Sequence, residues 1–222
     1  MRAVIFANGV RTPPPEDLVL SPKEDLIICA DGGLAFCLAL GLTPHLVVGD
    51  LDSARPEDLD RVVASGCRIR RHPTRKDETD LELALKAARE QGASEIVILG
   101  ALGRRLDMTL ANILILASPF AHGLPVRLVD GRQQILCLRG DQKISLSGRP
   151  GDRLSLLPLS GSAVGVTLEG FDYPLNNATL PLGTTWGVSN VFTGSFASVE
   201  LKEGCLLVIT GPDQEEAQAG SI

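Results

Sequence analysis

Histidine, aromatic side chains and excess positive charge are all in short supply in this chain of 222 residues. It carries three His, one Trp and one Tyr, and a formal net charge of −6. The histidines, at 45, 72 and 122, have no metal-ligand spacing and read as surface or loop residues. The acidic balance gives no basic face, so a nucleic-acid partner is not expected. Five cysteines, at 29, 37, 67, 137 and 205, are odd in number and form no Cys-x-x-Cys. They read as reduced core residues, with zinc and structural disulfides both disfavoured. No run is long enough to span a membrane, and the opening apolar stretch Ala3–Ala7 is too short for a signal core, so a cytoplasmic protein is the expectation. Also missing are the Gly-x-x-x-x-Gly-Lys-Ser/Thr phosphate loop, the Gly-x-Gly-x-x-Gly dinucleotide fingerprint and the Gly-x-Ser-x-Gly nucleophile elbow.

What is present is an alternation of short apolar runs with helical patterns. Strand-like runs over 3–7, 26–30, 46–48, 67–72, 96–99 and 126–129 alternate with helical patterns from Leu34, Pro56, Leu81 and Asp107. Such alternation predicts a doubly wound, mostly parallel α/β sheet. From about Gln133 the segments become short and β-leaning: 135–138, 143–146, 154–157, 164–168, 188–192, 195–201 and 206–210, with Gly, Pro, Asp and Asn between them. They predict an antiparallel β-sandwich or barrel. The expected organisation is an α/β domain over 1–131, a β domain over 132–212 and a disordered tail over 213–222.

The chemistry is concentrated in acids at strand ends. Gly49-Asp50-Leu51-Asp52-Ser53 follows Leu46-Val47-Val48, and open α/β sheets bind ligands at the carboxyl ends of their strands. Lys76-Asp77-Glu78-Thr79-Asp80 opens a helical pattern, with Asp77 or Thr79 as its cap and Asp77 and Asp80 spaced for one helical face. Gly103-Arg104-Arg105-Leu106-Asp107 opens another, its arginines suited to phosphate oxygens. Asp31-Gly32-Gly33, between a strand and a helix, suits close phosphate approach. Plain alternatives exist for each: Asp in turns and caps, Asp-Gly-Gly as an ordinary turn, arginines solvated at a helix start. Three acidic groups at equivalent positions favour Mg²⁺ and a phosphorylated substrate, which an acidic chain would repel without a cation.

Ala-Asp-Gly-Gly at 30–33, Gly-Asp-Leu-Asp-Ser at 49–53, Lys-Asp-Glu-Thr-Asp at 76–80, Gly-Ala-Leu-Gly-Arg-Arg-Leu-Asp at 100–107 and Gly-Val-Ser-Asn at 187–190 resemble, in order and spacing, the thiamine pyrophosphokinases. The resemblance implies a homodimer with sites at its interface, in which an α/β domain and a β-sandwich transfer the pyrophosphoryl group of ATP to the hydroxyl of thiamine, leaving AMP. It implies Asp50, Asp52 and Asp80 as Mg²⁺ ligands and Asp31 and Asp77 near the metal or phosphates, with Asp77 or Asp80 orienting the hydroxyl. Gly32, Thr79, Gly103, Arg104, Arg105 and Asp107 then fall on the nucleotide side, and Ser189 and Asn190 on the thiamine side. Arg104 and Met108 depart from the common bacterial pattern of Gly and His, and Met108 supplies no strong hydrogen-bond donor or base. Trp186 reads as a core or rim residue, or as a stacking partner for an aromatic substrate. Two other readings remain: a diphosphokinase for another alcohol such as a hydroxymethylpterin, and a non-catalytic nucleotide or thiamine sensor.

Overall fold

The computed structural model describes residues 1–103, 105–118 and 120–213, and the chain divides into two compact units, Met1–Gly131 and a second beginning at Arg132. In the first unit the elements alternate: β1 (Arg2–Phe6), β2 (Leu26–Ala30), α1 (Gly33–Ala39), β3 (Leu46–Gly49), α2 (Pro56–Ala64), β4 (Arg68–Arg71), α3 (Asp80–Glu90), β5 (Glu95–Leu99), α4 (Leu106–Leu114) and β6 (Val126–Asp130). Local chemistry sets the helix ends. Pro56 stands at the start of α2, where its missing N–H costs nothing, with Glu57 and Asp58 in the first turn as the helix dipole favours. Thr79 caps α3 by accepting a hydrogen bond from the Glu82 N–H at 3.2 Å.

The six strands are all parallel, in the order β6-β5-β1-β2-β3-β4. Every residue of β2 and β3 is buried, as a sheet covered on both faces requires. The chain steps outward from β1 to β4 and then returns, through α3, to β5 on the other side of β1. That reversal makes the β1–β5 boundary the topological switch point, where the following loops diverge and leave a crevice.

The second unit holds two antiparallel sheets of four strands each. One has the order β12-β9-β14-β7, with β7 at Gln133–Arg139, β9 at Arg153–Pro158, β12 at Asn190–Val191 and β14 at Cys205–Gly211. The other has the order β11-β10-β13-β8, with β8 at Gln142–Ser147, β10 at Ala163–Glu169, β11 at Leu175–Leu180 and β13 at Phe196–Leu201. A single buried cluster draws Leu154, Leu156, Leu206 and Val208 from the first sheet and Val166, Leu168, Val199 and Leu201 from the second, which makes the pair a sandwich.

Two strands differ from the sequence reading. β11 was not expected, because Asn176 and Asn177 look like a turn; the strand accommodates them with a left-handed Asn177 (φ 49°) and register shifts against β10. The expected strand over 188–192 shrinks to Asn190–Val191, because Ser189 is itself left-handed (φ 63°) and Val188 closes a turn onto Thr185. Of the tail expected from residue 213, Asp213 is ion-paired with Arg153, and 214–222 lie outside the described residues. Among the described residues no helix is long and apolar enough to cross a membrane.

Phe192, 1 % exposed, packs edge-to-face on Phe171 with ring centroids 4.7 Å apart. Phe192→Ala is expected to destabilise the chain by about 3–5 kcal/mol, read as a fall in the urea midpoint.

Candidate functional site

The acid loop is held in place by backbone that few residues tolerate. β3 ends at Gly49 with φ +147°, where a Cβ would lie 3.0 Å from the Asp31 Cβ and 3.1 Å from Asp80 Oδ1. Leu51, at φ 67°, is also left-handed, and its side chain is buried in the core. That anchor offsets the backbone strain and leaves its two neighbours, Asp50 and Asp52, off the core. On the adjacent strand β2, whose Ala30 pairs with Val48, the next residue Asp31 is left-handed as well (φ 45°) and donates its N–H to the Val48 carbonyl at 2.8 Å.

The result is a three-carboxylate group. One oxygen each from Asp31, Asp50 and Asp52 lies within 4.8 Å of the others. Asp31 is buried, and its carboxylate accepts a long 3.4 Å hydrogen bond from the Ser53 N–H. Asp50 accepts the Asp52 N–H at 3.3 Å, which holds its carboxyl below the ordinary range with help from nearby Lys76. Carboxylate oxygens at this spacing repel one another and form a hard, all-oxygen donor set, so their chemistry fits Mg²⁺. The third member is Asp31, on which the sequence placed only proximity; Asp80, expected among the ligands, lies outside this group.

Asp80 is the first residue of α3, and its Oδ1 is 3.0 Å from Lys76 Nζ. Burial, opposed by Lys76, raises its carboxyl above the ordinary range, and Asp50 and Asp31 push in the same direction. Asp77 differs from expectation. It precedes the Thr79 cap and is exposed, so it shares no helical face with Asp80.

Beside the acids, at the switch point, is a crevice of about 520 Å³. Asn8, Gly9 and Val10 line it after β1, Asp31 after β2, Thr79 and Asp80 from the start of α3, and Gly103, Arg105, Thr109 and Asn112 after β5. Arg105 pairs with Asp107 at 2.6 Å, which compensates a cation at a helix N-terminus and holds the Asp107 carboxyl down. Arg104 lies outside the described residues. Gly103 is fastened by Thr109, whose hydroxyl accepts from its N–H at 3.0 Å and donates to its carbonyl at 3.1 Å. Gly32 serves packing, since a Cβ there would meet the Asn8 side chain at 2.4 Å.

Sequence reasoning passed over Asn8, Gly9, Thr109 and Asn112. Asn8 and Gly9 follow the carboxyl end of β1, so the rule applied to Asp50 would have found them. Asn112 had no such signal. It is the one residue of α4 that is buried, donating to the Ala101 carbonyl at 2.7 Å, while Leu106, Leu110 and Leu114 of the same helix are exposed.

In the second unit, Asn190 is buried and committed to the backbone: its amide donates to the Tyr173 carbonyl at 2.8 Å and accepts from the N–H groups of Tyr173 and Val191. Ser189 is exposed, its N–H bonded to Ser155 Oγ at 3.2 Å. Trp186 is 77 % exposed, which excludes the core role.

Two family models match the chain: the thiamin pyrophosphokinase catalytic domain over residues 19–128 and the thiamin pyrophosphokinase vitamin B1 binding domain over 141–206. A thiamine pyrophosphokinase of Bacillus subtilis (strain 168) is 31% identical over 176 residues, which is 79% of this chain and 82% of that protein. The crystal structure of thiamine pyrophosphokinase from Bacillus subtilis superposes with a TM-score of 0.84 at 29% identity, covering 96% of this chain and 100% of that one. That of the Geobacillus thermodenitrificans thiamin pyrophosphokinase gives 0.82 at 28% identity, covering 96% and 98%.

Because Gly49 brings Asp31 and Asp80 into contact range of one backbone position, Gly49→Ala is expected to lower stability by about 1–3 kcal/mol and to weaken Mn²⁺ binding. Urea denaturation and a Mn²⁺ titration check the two effects.

Proposed function

This chain belongs to the thiamin pyrophosphokinase family, enzymes that form thiamine diphosphate, and on that premise we propose that it transfers the pyrophosphoryl group of Mg-ATP to the hydroxyl of thiamine, releasing AMP. The observation that carries the reading is the Asp31, Asp50 and Asp52 group at the rim of the switch-point crevice. These three residues would hold the divalent ion. When bound, Mg²⁺ supplies charge neutralisation for the phosphate oxygens in a reaction that is mostly positioning.

The other residues act around that centre. The hydroxyl oxygen of thiamine attacks the β-phosphorus in line, the new O–P bond forms, and the bond to the oxygen bridging the α- and β-phosphorus breaks, with AMP as leaving group. Asp80 orients the hydroxyl and takes its proton. Its raised carboxyl makes it a better base than an ordinary aspartate, and Asp77, exposed ahead of the cap, is a poorer choice. The crevice receives the nucleotide, with Thr79, Gly103 and Arg105 on its wall, Asp107 fixing the guanidinium of Arg105 and Gly32 admitting Asn8.

The second unit is assigned to thiamine. Ser189 offers a hydroxyl there, Asn190 sets the loop rather than the ligand, and exposed Trp186 presents an aromatic face. A homodimer that completes the site is supported by the apolar stripe Leu106, Leu110 and Leu114 on α4, each more than half exposed. The cytoplasm is the compartment assigned.

With Mg-ATP and thiamine, the expected products are thiamine diphosphate and AMP, separated by chromatography. ADP as the nucleotide product, turnover only with a pterin alcohol, or binding without turnover would each contradict the assignment. Asp52→Asn is expected to lower turnover on the order of a hundredfold with an unchanged circular dichroism spectrum.

A further inference from the structure

Two of the five cysteines touch each other and have no part in the proposed reaction. Cys137 in β7 and Cys205, the first residue of β14, have their Sγ atoms 3.1 Å apart. The strands are antiparallel neighbours with Cys137 opposite Leu207 and Cys205 opposite Arg139, so the thiols meet across a diagonal of one sheet face. That face is not the sandwich interior: the alternate residues Leu138, Leu206 and Val208 fill the core cluster, and neither cysteine belongs to it. Cys205 is 8 % exposed, while Cys137 is partly open to solvent. The other three, Cys29, Cys37 and Cys67, are buried in the first unit.

Arg139 completes the group. Its Nη2 is buried without a hydrogen-bond partner. Burial and then the Cys205 thiol push the Cys137 thiol up to about 12, against the pull of the Arg139 guanidinium. The resting pair is therefore a neutral dithiol, and the cation beside it has a donor to spare. A thiolate formed during thiol–disulfide exchange would take that donor.

We infer that Cys137 and Cys205 form a modification site, a dithiol that a low-molecular-weight disulfide converts reversibly to an intrachain disulfide joining β14 to β7. Cys137, the more accessible sulfur, gives up its proton and attacks one sulfur of the reagent RSSR; the reagent's S–S bond breaks, and the departing RS⁻ is protonated to RSH. Cys205 then gives up its proton and attacks the Cys137 sulfur, the mixed disulfide breaks, and a second RSH leaves. The dithiol is oxidised by two electrons and RSSR is reduced to two RSH. An S–S bond is about 2 Å long, so closure brings the sulfurs about 1 Å nearer than they rest. Arg139 is a positioning residue that steadies the attacking thiolate. The link fastens the last strand of the sandwich, which is otherwise held to β7 and β9 by backbone pairing and packing.

The test is to expose the folded full chain to glutathione disulfide, block the remaining thiols, and count them after denaturation. Of the five thiols, wild type is expected to lose two and to yield a peptide pair joined through Cys137 and Cys205, with dithiothreitol restoring all five. Cys137→Ser and Cys205→Ser should each yield no intrachain bond. Arg139→Met should slow the loss of thiols about tenfold, the effect of one unit of thiol pKa, with Arg139→Lys restoring most of the rate. A merely structural role would have the opposite sign, since loosened packing exposes the sulfurs and speeds their reaction. Five thiols surviving on wild type, a bond among Cys29, Cys37 and Cys67 instead, or glutathione left attached to Cys137 with no closure would each overturn the inference. An unchanged or faster rate in Arg139→Met overturns the part assigned to Arg139.

Discussion

Mutual repulsion among carboxylates is the constraint around which the first unit is built. Asp31, Asp50, Asp52 and Asp80 come from three separate chain segments, and like charges in partly buried surroundings drive apart unless the backbone holds them. Here the backbone does so through three exceptions: Asp31 and Leu51 in left-handed conformations, and Gly49 at a φ only glycine adopts without strain. Such conformations persist where the rest of the structure over-determines them. The parallel pairing of β2 with β3 fixes Asp31 beside Gly49, and the buried Leu51 side chain pins the loop between its two acids. The core therefore stabilises a geometry that the acids alone would abandon.

The same division of labour separates the second unit from the first. Its sandwich packs around an apolar cluster, and at the Ser189 loop the buried Asn190 is committed to backbone hydrogen bonds. Trp186 and Phe196 are exposed and stand outside the sandwich's buried cluster.

Much of this was legible in the sequence, for identifiable reasons. Strand β2 and helix α2 have the bounds that their residues suggest, because Leu26–Ala30 is an uninterrupted apolar run and Pro56 starts a helix cleanly. The acid loop could be placed at a strand end from three apolar residues alone. What escaped depended on contacts that sequence spacing does not encode. Asp31 joins Asp50 and Asp52 because β2 and β3 are neighbours in register, and Asp77 shares no helical face with Asp80 because Thr79, an equally plausible cap, is the one that bonds to Glu82. Helix α4 was opaque for a related reason: it buries an asparagine and exposes leucines, the reverse of the usual stripe. The strand β11 hid behind two asparagines that a bulge absorbs.

The central claim is that the rim of the β2 and β3 strand ends exists to grip a divalent ion carrying a nucleotide. The most direct measurement is the anomalous density of Mn²⁺ in crystals grown with a non-hydrolysable ATP analogue. The account predicts a peak coordinated by Asp31, Asp50 and Asp52, with the analogue's phosphates beside it and its nucleoside in the crevice lined by Asn8, Gly103 and Asn112. Density for the analogue elsewhere, or an ion that touches none of the three carboxylates, would contradict it.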